Sequence, residues 1–189
     1  MLRSDALEIL MQYKASAISI ATMQSVFPWH EIGGATSSHI DATGCMGSAS
    51  SLGLGLAIGR PERPIWVLDG DGSLLMQLGS LVTIAGIAPK NFYHFIFSNG
   101  LYQSTGNQPL PGNSKFDLCG LAISAGYNKA AFYKDKEALL GDMESITSTD
   151  GPYLIELQIQ PEPGPPRWAG IKMAEQVKSL KAELSDENE

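Results

Sequence analysis

Two uninterrupted apolar runs, each followed at once by small and polar residues, constrain the fold of this chain more than any other feature. The runs are "PIWVLD" at 64–69 and "FYHFIFSN" at 92–99. Continuous apolar strands are typical of a parallel sheet that is covered on both faces. Helical patterns lie between these strands and beyond them, and this alternation favours right-handed crossover connections. The sequence therefore predicts an α/β fold: a doubly wound, mostly parallel sheet with helices on both faces.

The other elements are predicted from apolar periodicity and from end signals. Further strands are expected at 17–22, 129–133 and 152–159, and helices at 5–13, 47–59, 73–87, 118–125 and 136–146. Ser4 is the expected N-cap of the first helix. Residues 22–44 are expected to be irregular.

Three regions are predicted along the chain. Residues 1–160 form one domain, the proline-rich 161–171 forms a semi-rigid connector, and 172–189 form an amphipathic helix with an acidic tail. The apolar positions of that helix recur at helical spacing: Met173, Val177, Leu180 and Leu184. Docking on its own domain is the simpler role for this helix, and contact with another subunit is the alternative.

Size, charge and cysteine content exclude several classes of protein. The 189 residues suit one domain, and 13 basic against 20 acidic residues leave a net charge of -7. No basic stripe is available to neutralise nucleic-acid phosphates, and no segment approaches the roughly 20 apolar residues of a membrane span. Cys45 and Cys119 lack a metal-binding spacing and are expected to be buried reduced thiols. A soluble, cytoplasmic protein is therefore expected.

Polar residues follow both apolar runs where the strands should end. Asp69-Gly70-Asp71-Gly72-Ser73 follows the first run, and Ser98-Asn99-Gly100 ends the second. Ligands of open α/β sheets bind at the carboxyl ends of the strands. Asp71 and Asn99 offer the oxygen ligands that magnesium prefers when it shares its shell with phosphates. Gly72 and Ser73 would begin a helix, whose N-terminus favours a phosphate. An Asp-Gly pair is also ordinary turn chemistry.

The same residues carry a resemblance to a known family. "GDGS" followed by "SNG" resembles the thiamine diphosphate motif. The longer strings "GCMGSASSLGLGLAIGRPERPIWVLDGDGSLLMQLGSLVTIAGIAPKNF" and "FSNGLYQSTGNQ" resemble the diphosphate-binding half, or beta-type subunit, of the sulfopyruvate decarboxylase and phosphonopyruvate decarboxylase family. The likeness covers about residues 44–160. It implies thiamine diphosphate and Mg²⁺ as cofactors.

Carried over position by position, the resemblance assigns roles to individual residues. It implies that magnesium is held by the side chains of Asp71 and Asn99 and by the carbonyl of Leu101. It implies a wider set of cofactor-binding residues: Gly44, Met46, Gly70, Gly72, Ser73, Asn99, Leu101 and Tyr102. Met46 matches the apolar residue that supports the bent shape of the cofactor. The chain departs from the family's pattern at Cys45, at Ser48 and in 103–108.

The resemblance covers only half of a thiamine diphosphate enzyme. Such enzymes need a second domain that holds the aminopyrimidine and supplies a glutamate, so the resemblance implies a separate, pyrimidine-binding alpha-type chain and a dimer of heterodimers. The expected activity is decarboxylation of a small 2-oxo acid, with no catalytic residue assigned to this chain. Alternatives are a carboligase of the acyloin or acetolactate type, a subunit of a 2-oxo acid:ferredoxin oxidoreductase, and a non-catalytic cofactor-binding module.

The three histidines have no metal or nucleophile partner at a useful spacing in the sequence. His94 lies within an apolar strand and is expected to be a core residue. His30 and His39 fall in the irregular region, where a role in the active site is possible but a structural role is the alternative.

Overall fold

A six-stranded, wholly parallel sheet forms the centre of the computed structural model, which describes residues 1–112, 115–162 and 172–186. The strand order is β2-β1-β3-β4-β8-β7. Its strands are β1 (Ile18–Ala21), β2 (His39–Asp41), β3 (Ile65–Gly70), β4 (Phe92–Ser98), β7 (Lys129–Tyr133) and β8 (Tyr153–Gln158). The short strands β5 (Leu101–Tyr102) and β6 (Gln108–Pro109) pair separately, in antiparallel fashion.

Helices cover both faces of the sheet. They are α1 (Arg3–Tyr13), α2 (Val26–Glu31), α3 (Ala49–Gly59), α4 (Asp71–Met76), α5 (Ser80–Ile87), α6 (Leu118–Ala125), α7 (Lys136–Ser148) and α8 (Met173–Asp186). Helices α1, α2 and α7 bury apolar side chains on one face, and α3 to α6 together with α8 do so on the other. The predicted doubly wound α/β fold is confirmed.

The N-terminal helix does not begin as predicted. Helix α1 starts at Arg3, so Ser4 lies within its first turn and is not the N-cap. Asp5 takes the capping role, because its carboxylate accepts the N–H of Leu2 at 3.3 Å. The Met1 ammonium donates to the carbonyl of Gln158 at 3.2 Å and ties the start of the helix to the end of β8.

The helix predicted at 73–87 is two helices. Helix α4 ends at Met76 and α5 begins at Ser80, because Gln77 leaves the helical conformation with φ -137° and ψ 45°. A Cβ built on Gly47 would lie 3.0 Å from the Cβ of Gln77. The break thus accommodates the turn before α3, a tertiary contact that periodicity cannot reveal.

The region 22–44 is more ordered than predicted. It contains a 3₁₀ turn at Met23–Ser25, helix α2 and the edge strand β2. With only three residues, β2 is too short for an alternating pattern, and its polar residues His39 and Asp41 are buried.

Helix α8 packs against the domain itself. Leu180 is buried, and the side chain of Gln176 accepts the N–H of Asp41 in β2 at 3.0 Å. Most of the predicted connector at 161–171 lies outside the described residues. Among the described residues, no helix is both long enough and apolar enough to cross a membrane.

Two glycines of α3 give a matched test of its packing on the sheet. A Cβ at Gly53 would lie 2.5 Å from Cγ2 of Val67, whereas a Cβ at Gly55 would have nothing within 4 Å. We expect Gly53→Ala to destabilise the fold by about 1–3 kcal/mol through overpacking. We expect Gly55→Ala to stabilise it by about 0.5–1 kcal/mol, since alanine is the better helix former. Urea unfolding measures both changes in the free energy of unfolding. Changes of the same sign in the two variants would contradict this account.

Candidate functional site

The carboxyl ends of β3 and β4 meet at the side chain of Asp71. This residue begins α4 immediately after β3 and is 3% exposed. One carboxylate oxygen, Oδ2, accepts the N–H groups of Asn99 at 2.9 Å and Gly100 at 2.7 Å, while Oδ1 accepts the N–H of Gly72 at 2.7 Å. The carboxyl ends of the two strands are therefore joined by direct hydrogen bonds to one side chain.

Burial dominates the electrostatics of Asp71. Desolvation raises the pKa of its carboxyl group, although the N–H groups of Gly100, Gly72 and Asn99 favour the charged form. A divalent cation bound beside this carboxylate would favour the charged form further. A carboxylate held only by backbone and hydroxyl donors is thus suited to a positively charged ligand.

A cavity opens at this edge of the sheet. Its walls include all but one of the predicted site residues: Met46, Gly70, Asp71, Gly72, Ser73, Asn99, Leu101 and Tyr102. The exception is Gly44, which is exposed in the loop between β2 and α3 and does not line this cavity.

Asn99 is oriented by its neighbours. Its Oδ1 accepts the N–H of Leu101 at 2.9 Å, and its Nδ2 donates to Oε1 of Gln103 at 3.0 Å. The three predicted metal ligands, Asp71, Asn99 and Leu101, all line the cavity. They offer a carboxylate, an amide oxygen and a backbone carbonyl, the donor types that a hard cation takes.

The two glycine-rich segments of the site contact each other and the β5 strand. The hydroxyl of Ser73 accepts the N–H of Gly47 at 2.9 Å and so ties the turn after Met46 to the start of α4. A Cβ at Gly72 would lie 2.7 Å from Cδ1 of Tyr102, so the tyrosine ring can pack here only against glycine. Met46 is half-buried in the cavity wall.

Arg3 is the important cavity residue that the sequence did not indicate. It is 4% exposed, and its Nη2 donates to Oε1 of Gln103 at 2.9 Å. Its Nε has no hydrogen-bond partner within the described part of the chain. Burial lowers the pKa of the guanidinium, while the charges of Glu162 and Asp71 raise it. Arg3 lies far from the motifs along the chain, and no sequence pattern singled it out.

The histidines lie outside the cavity. His94 is buried in β4, where Nδ1 lies 3.3 Å from the hydroxyl of Tyr127 and Nε2 lies 3.4 Å from Oδ2 of Asp69, as expected for a core residue. His30 and His39 meet at Asp41 beside β2, and neither lines the cavity.

The two cysteines differ from each other, and the prediction that both are buried was wrong. Cys45 is exposed, and Cys119 is half-buried. Burial, reinforced by the charges of Glu156 and Asp117, raises the pKa of the Cys119 thiol to about 12.

We expect Ellman's reagent at pH 8 to modify Cys45 readily and Cys119 at least about 100-fold more slowly. The thiolate is the reactive form, and pH 8 lies far below the raised pKa of Cys119. Cys45→Ser should therefore remove the fast phase of the reaction with the reagent. A fast phase that survives in this variant would contradict the assignment.

Comparison with known proteins identifies relatives of this chain. A family model described as "Thiamine pyrophosphate enzyme, C-terminal TPP binding domain" matches residues 19–157. The chain is 44% identical over 123 residues to a phosphonopyruvate decarboxylase of Streptomyces hygroscopicus, which covers 65% of this chain and 30% of that protein. It is 31% identical over 163 residues to sulfopyruvate decarboxylase subunit beta of Methanococcus maripaludis, with 84% of each chain covered.

The fold has solved counterparts. A candidate thiamin diphosphate-dependent enzyme from Mycobacterium smegmatis superposes with a TM-score of 0.74 at 19% identity, over 86% of this chain and 32% of the other. The chain therefore spans about a third of that enzyme's length, and 30% of the length of the Streptomyces relative.

Proposed function

The chain belongs to the thiamine pyrophosphate enzymes, whose C-terminal cofactor-binding domain it carries, and on that basis we propose that it is the diphosphate-binding subunit of a two-chain 2-oxo acid decarboxylase that requires thiamine diphosphate and Mg²⁺. The observation that carries this proposal is the convergence of Asp71, Asn99 and Leu101 on one cavity. The identities to sulfopyruvate and phosphonopyruvate decarboxylases support the type of reaction.

The cavity suits the cofactor in three respects. Its oxygen donors suit Mg²⁺. The charge of Arg3 and its free Nε suit a diphosphate. A Cβ built on Gly70 would meet nothing within 4 Å, so this wall of the cavity leaves space for a ligand. When bound, thiamine diphosphate supplies the carbon nucleophile and the electron sink that loss of CO₂ requires.

In this proposal, the residues of this chain bind the metal ion and orient the cofactor. Asp71, Asn99 and the carbonyl of Leu101 hold the magnesium ion, and Gly70, Gly72 and Ser73 lie against the diphosphate. Met46 and Tyr102 supply apolar wall, with Met46 as support for the bent cofactor. Gly44 lies outside the cavity wall, so only the resemblance assigns it to cofactor binding.

The second chain is proposed from the contents of the cavity and from the lengths of the relatives. Among the described residues that line the cavity, Asp71 is the only carboxylate, and the metal occupies it. No lining glutamate is left to promote the chemistry of the aminopyrimidine. The Methanococcus relative, which is named subunit beta, matches this chain over 84% of both lengths. A pyrimidine-binding alpha-type subunit would complete the site, in a dimer of heterodimers.

Product analysis of the purified complex tests the proposed reaction. The tagged chain is recovered from its native lysate with thiamine diphosphate and Mg²⁺ present, and 2-oxo acids are supplied to the complex. We expect stoichiometric CO₂ and aldehyde. An acyloin or acetolactate product would instead identify a carboligase, the alternative that the acetolactate synthase matches favour. Retained cofactor without CO₂ from any 2-oxo acid would contradict the proposal and favour a non-catalytic module.

Arg3 is expected to contribute to cofactor affinity. A charge-assisted hydrogen bond contributes about 1.5–3 kcal/mol, so Arg3→Met should weaken thiamine diphosphate binding about 10- to 100-fold. Arg3→Lys should recover part of the loss, because it keeps the charge without the planar donors. Titration of cofactor at saturating Mg²⁺ measures the effect. Lys90→Met is the control. Lys90 is exposed and lies just before β4, at the amino ends of the strands, whereas the cavity lies at their carboxyl ends.

A further inference from the structure

A second cluster of ligand-type side chains lies beside the edge strand β2. His39 and Asp41 belong to β2, and His30 lies on α2. Nε2 of His30 is 2.8 Å from Oδ2 of Asp41, and Nε2 of His39 is 2.9 Å from Oδ1 of the same carboxylate. Both side chains from β2 are fully buried, and that of His30 is 34% exposed. Two imidazoles thus converge on one buried carboxylate.

We propose that His30, His39 and Asp41 form a binding site for a divalent first-row transition ion such as Zn²⁺. Two imidazole nitrogens and one carboxylate oxygen suit zinc and its neighbours in the first row, whereas Mg²⁺ prefers oxygen alone. None of the three residues lines the cofactor cavity. The site is therefore separate from the proposed magnesium position in both place and donor chemistry.

The spacing of the donor atoms is close to that of a tetrahedral site. The candidate ligand atoms of the three residues all lie within 4.8 Å of one another. Bonds of about 2.0–2.2 Å from zinc to nitrogen and oxygen place adjacent tetrahedral ligands about 3.3 Å apart. The nitrogen–oxygen separations of 2.8 and 2.9 Å are hydrogen-bond lengths. An ion that replaces these two hydrogen bonds requires the ligands to separate by about half an ångström.

The residues behind the ligands are already arranged as metal sites require. Nδ1 of His39 lies 2.8 Å from the hydroxyl of Ser19, and Nε1 of Trp29 donates to that hydroxyl at 3.2 Å. Before metal binds, the proton of neutral His39 lies on Nε2, where the Asp41 carboxylate accepts it; with the metal on Nε2, that proton resides on Nδ1 and is donated to Ser19. A neutral histidine binds in this way without releasing a proton. Such outer hydrogen bonds fix the ring orientation and tautomer of ligating histidines.

The carboxylate of Asp41 is also held by outer hydrogen bonds, which come from helix α8. Nε2 of Gln176 on α8 donates to Oδ2 of Asp41 at 2.5 Å, and Oε1 of Gln176 accepts the N–H of Asp41. A bound ion would therefore link α2 to β2 directly and would strengthen the attachment of α8 through Gln176. Binding should raise the melting temperature of the chain, because the ion favours the folded state.

An entry path leads to the site from solvent. His30 lies on the wall of an open cleft, which is completed by residues 35–37 and by Glu175, Gln176 and Ser179 of α8. An ion that enters through this cleft meets His30 first. Because the side chain of His30 is partly exposed, an ion can reach it while the buried pair from β2 stays closed.

Zinc binding to the full chain tests the proposal. The chain carries Cys45→Ser, which removes the exposed thiol, and saturating thiamine diphosphate and Mg²⁺ occupy the cofactor cavity. We expect one Zn²⁺ per chain by equilibrium dialysis, visible absorption from bound Co²⁺, and a higher melting temperature with Zn²⁺. His30→Ala should weaken binding at least about 100-fold, more than loss of an outer hydrogen bond does, and Ser19→Ala should weaken it about tenfold.

Matched variants separate this site from adventitious binding. Glu175→Gln removes an exposed carboxylate from the rim of the cleft and should leave zinc affinity unchanged. Asp41→Asn should abolish binding, and circular dichroism of this variant checks that the chain still folds. Absence of stoichiometric zinc in the parent chain, or equal affinity in parent and His30→Ala, would overturn the proposal.

Discussion

Asp71→Ala is expected to abolish Mg²⁺-dependent binding of thiamine diphosphate, with at least about a 100-fold loss of affinity. Loss of an outer hydrogen bond alone costs a metal site about 10- to 100-fold, and this substitution removes the only carboxylate from the described cavity wall. The buried position sharpens the effect, because the nearby N–H groups of Asn99 and Gly100 lose their acceptor. Titration of cofactor at fixed Mg²⁺ measures the loss of affinity, and an assay of the assembled enzyme measures the loss of activity.

The control for this experiment is another aspartate that accepts backbone N–H groups. Asp135 caps α7 by accepting the N–H of Ala138 at 3.1 Å, and it does not line the cavity. Asp135→Ala should lower the stability of the fold slightly through loss of this N-cap, and it should leave cofactor affinity unchanged. Asn99→Ala should weaken cofactor binding with less effect on folding than Asp71→Ala. Parental affinity and activity in Asp71→Ala would favour the non-catalytic module.

The central strands could be predicted because their apolar residues indicate burial on both faces of the sheet. The strands β3 and β4 are largely apolar runs, and they are buried on both faces as that pattern predicts. The edge strand β2 could not be predicted in the same way. It has three residues, and its buried His39 and Asp41 are stabilised by partners from β1, α2 and α8 that are distant in sequence.

The same distinction holds for the site. The proximity of Asp71 and Asn99 could be predicted because both follow strands that turned out to be adjacent in one parallel sheet. The position of Arg3 depends on how α1 is anchored: its N–H donates to Glu162 and its guanidinium to Gln103, both more than ninety residues away. Local sequence carries no signal for such contacts, so the charge that suits a diphosphate was missed.

Catalysis by this chain is expected to depend entirely on a second chain. Residues that bind metal and diphosphate do not by themselves move a proton on the aminopyrimidine. Among the described side chains that line the cavity, only Arg3 and Asp71 are charged. A positioned general acid or base contributes about 10²–10⁴-fold to a rate. The purified chain with thiamine diphosphate and Mg²⁺ should therefore release no CO₂ above the rate of the free cofactor.

Mixing purified chains tests this dependence directly. Addition of the partner that is recovered with this chain should restore CO₂ release in proportion to complex formed and saturate at one partner per chain. Replacing the partner's candidate glutamate with glutamine should lower the rate about 10²–10⁴-fold while the complex persists. Asp71→Ala chain mixed with the unaltered partner supplies the converse control, since it should assemble but remain inactive. Full activity from this chain alone would place the proton-transfer group within it and contradict the two-chain mechanism.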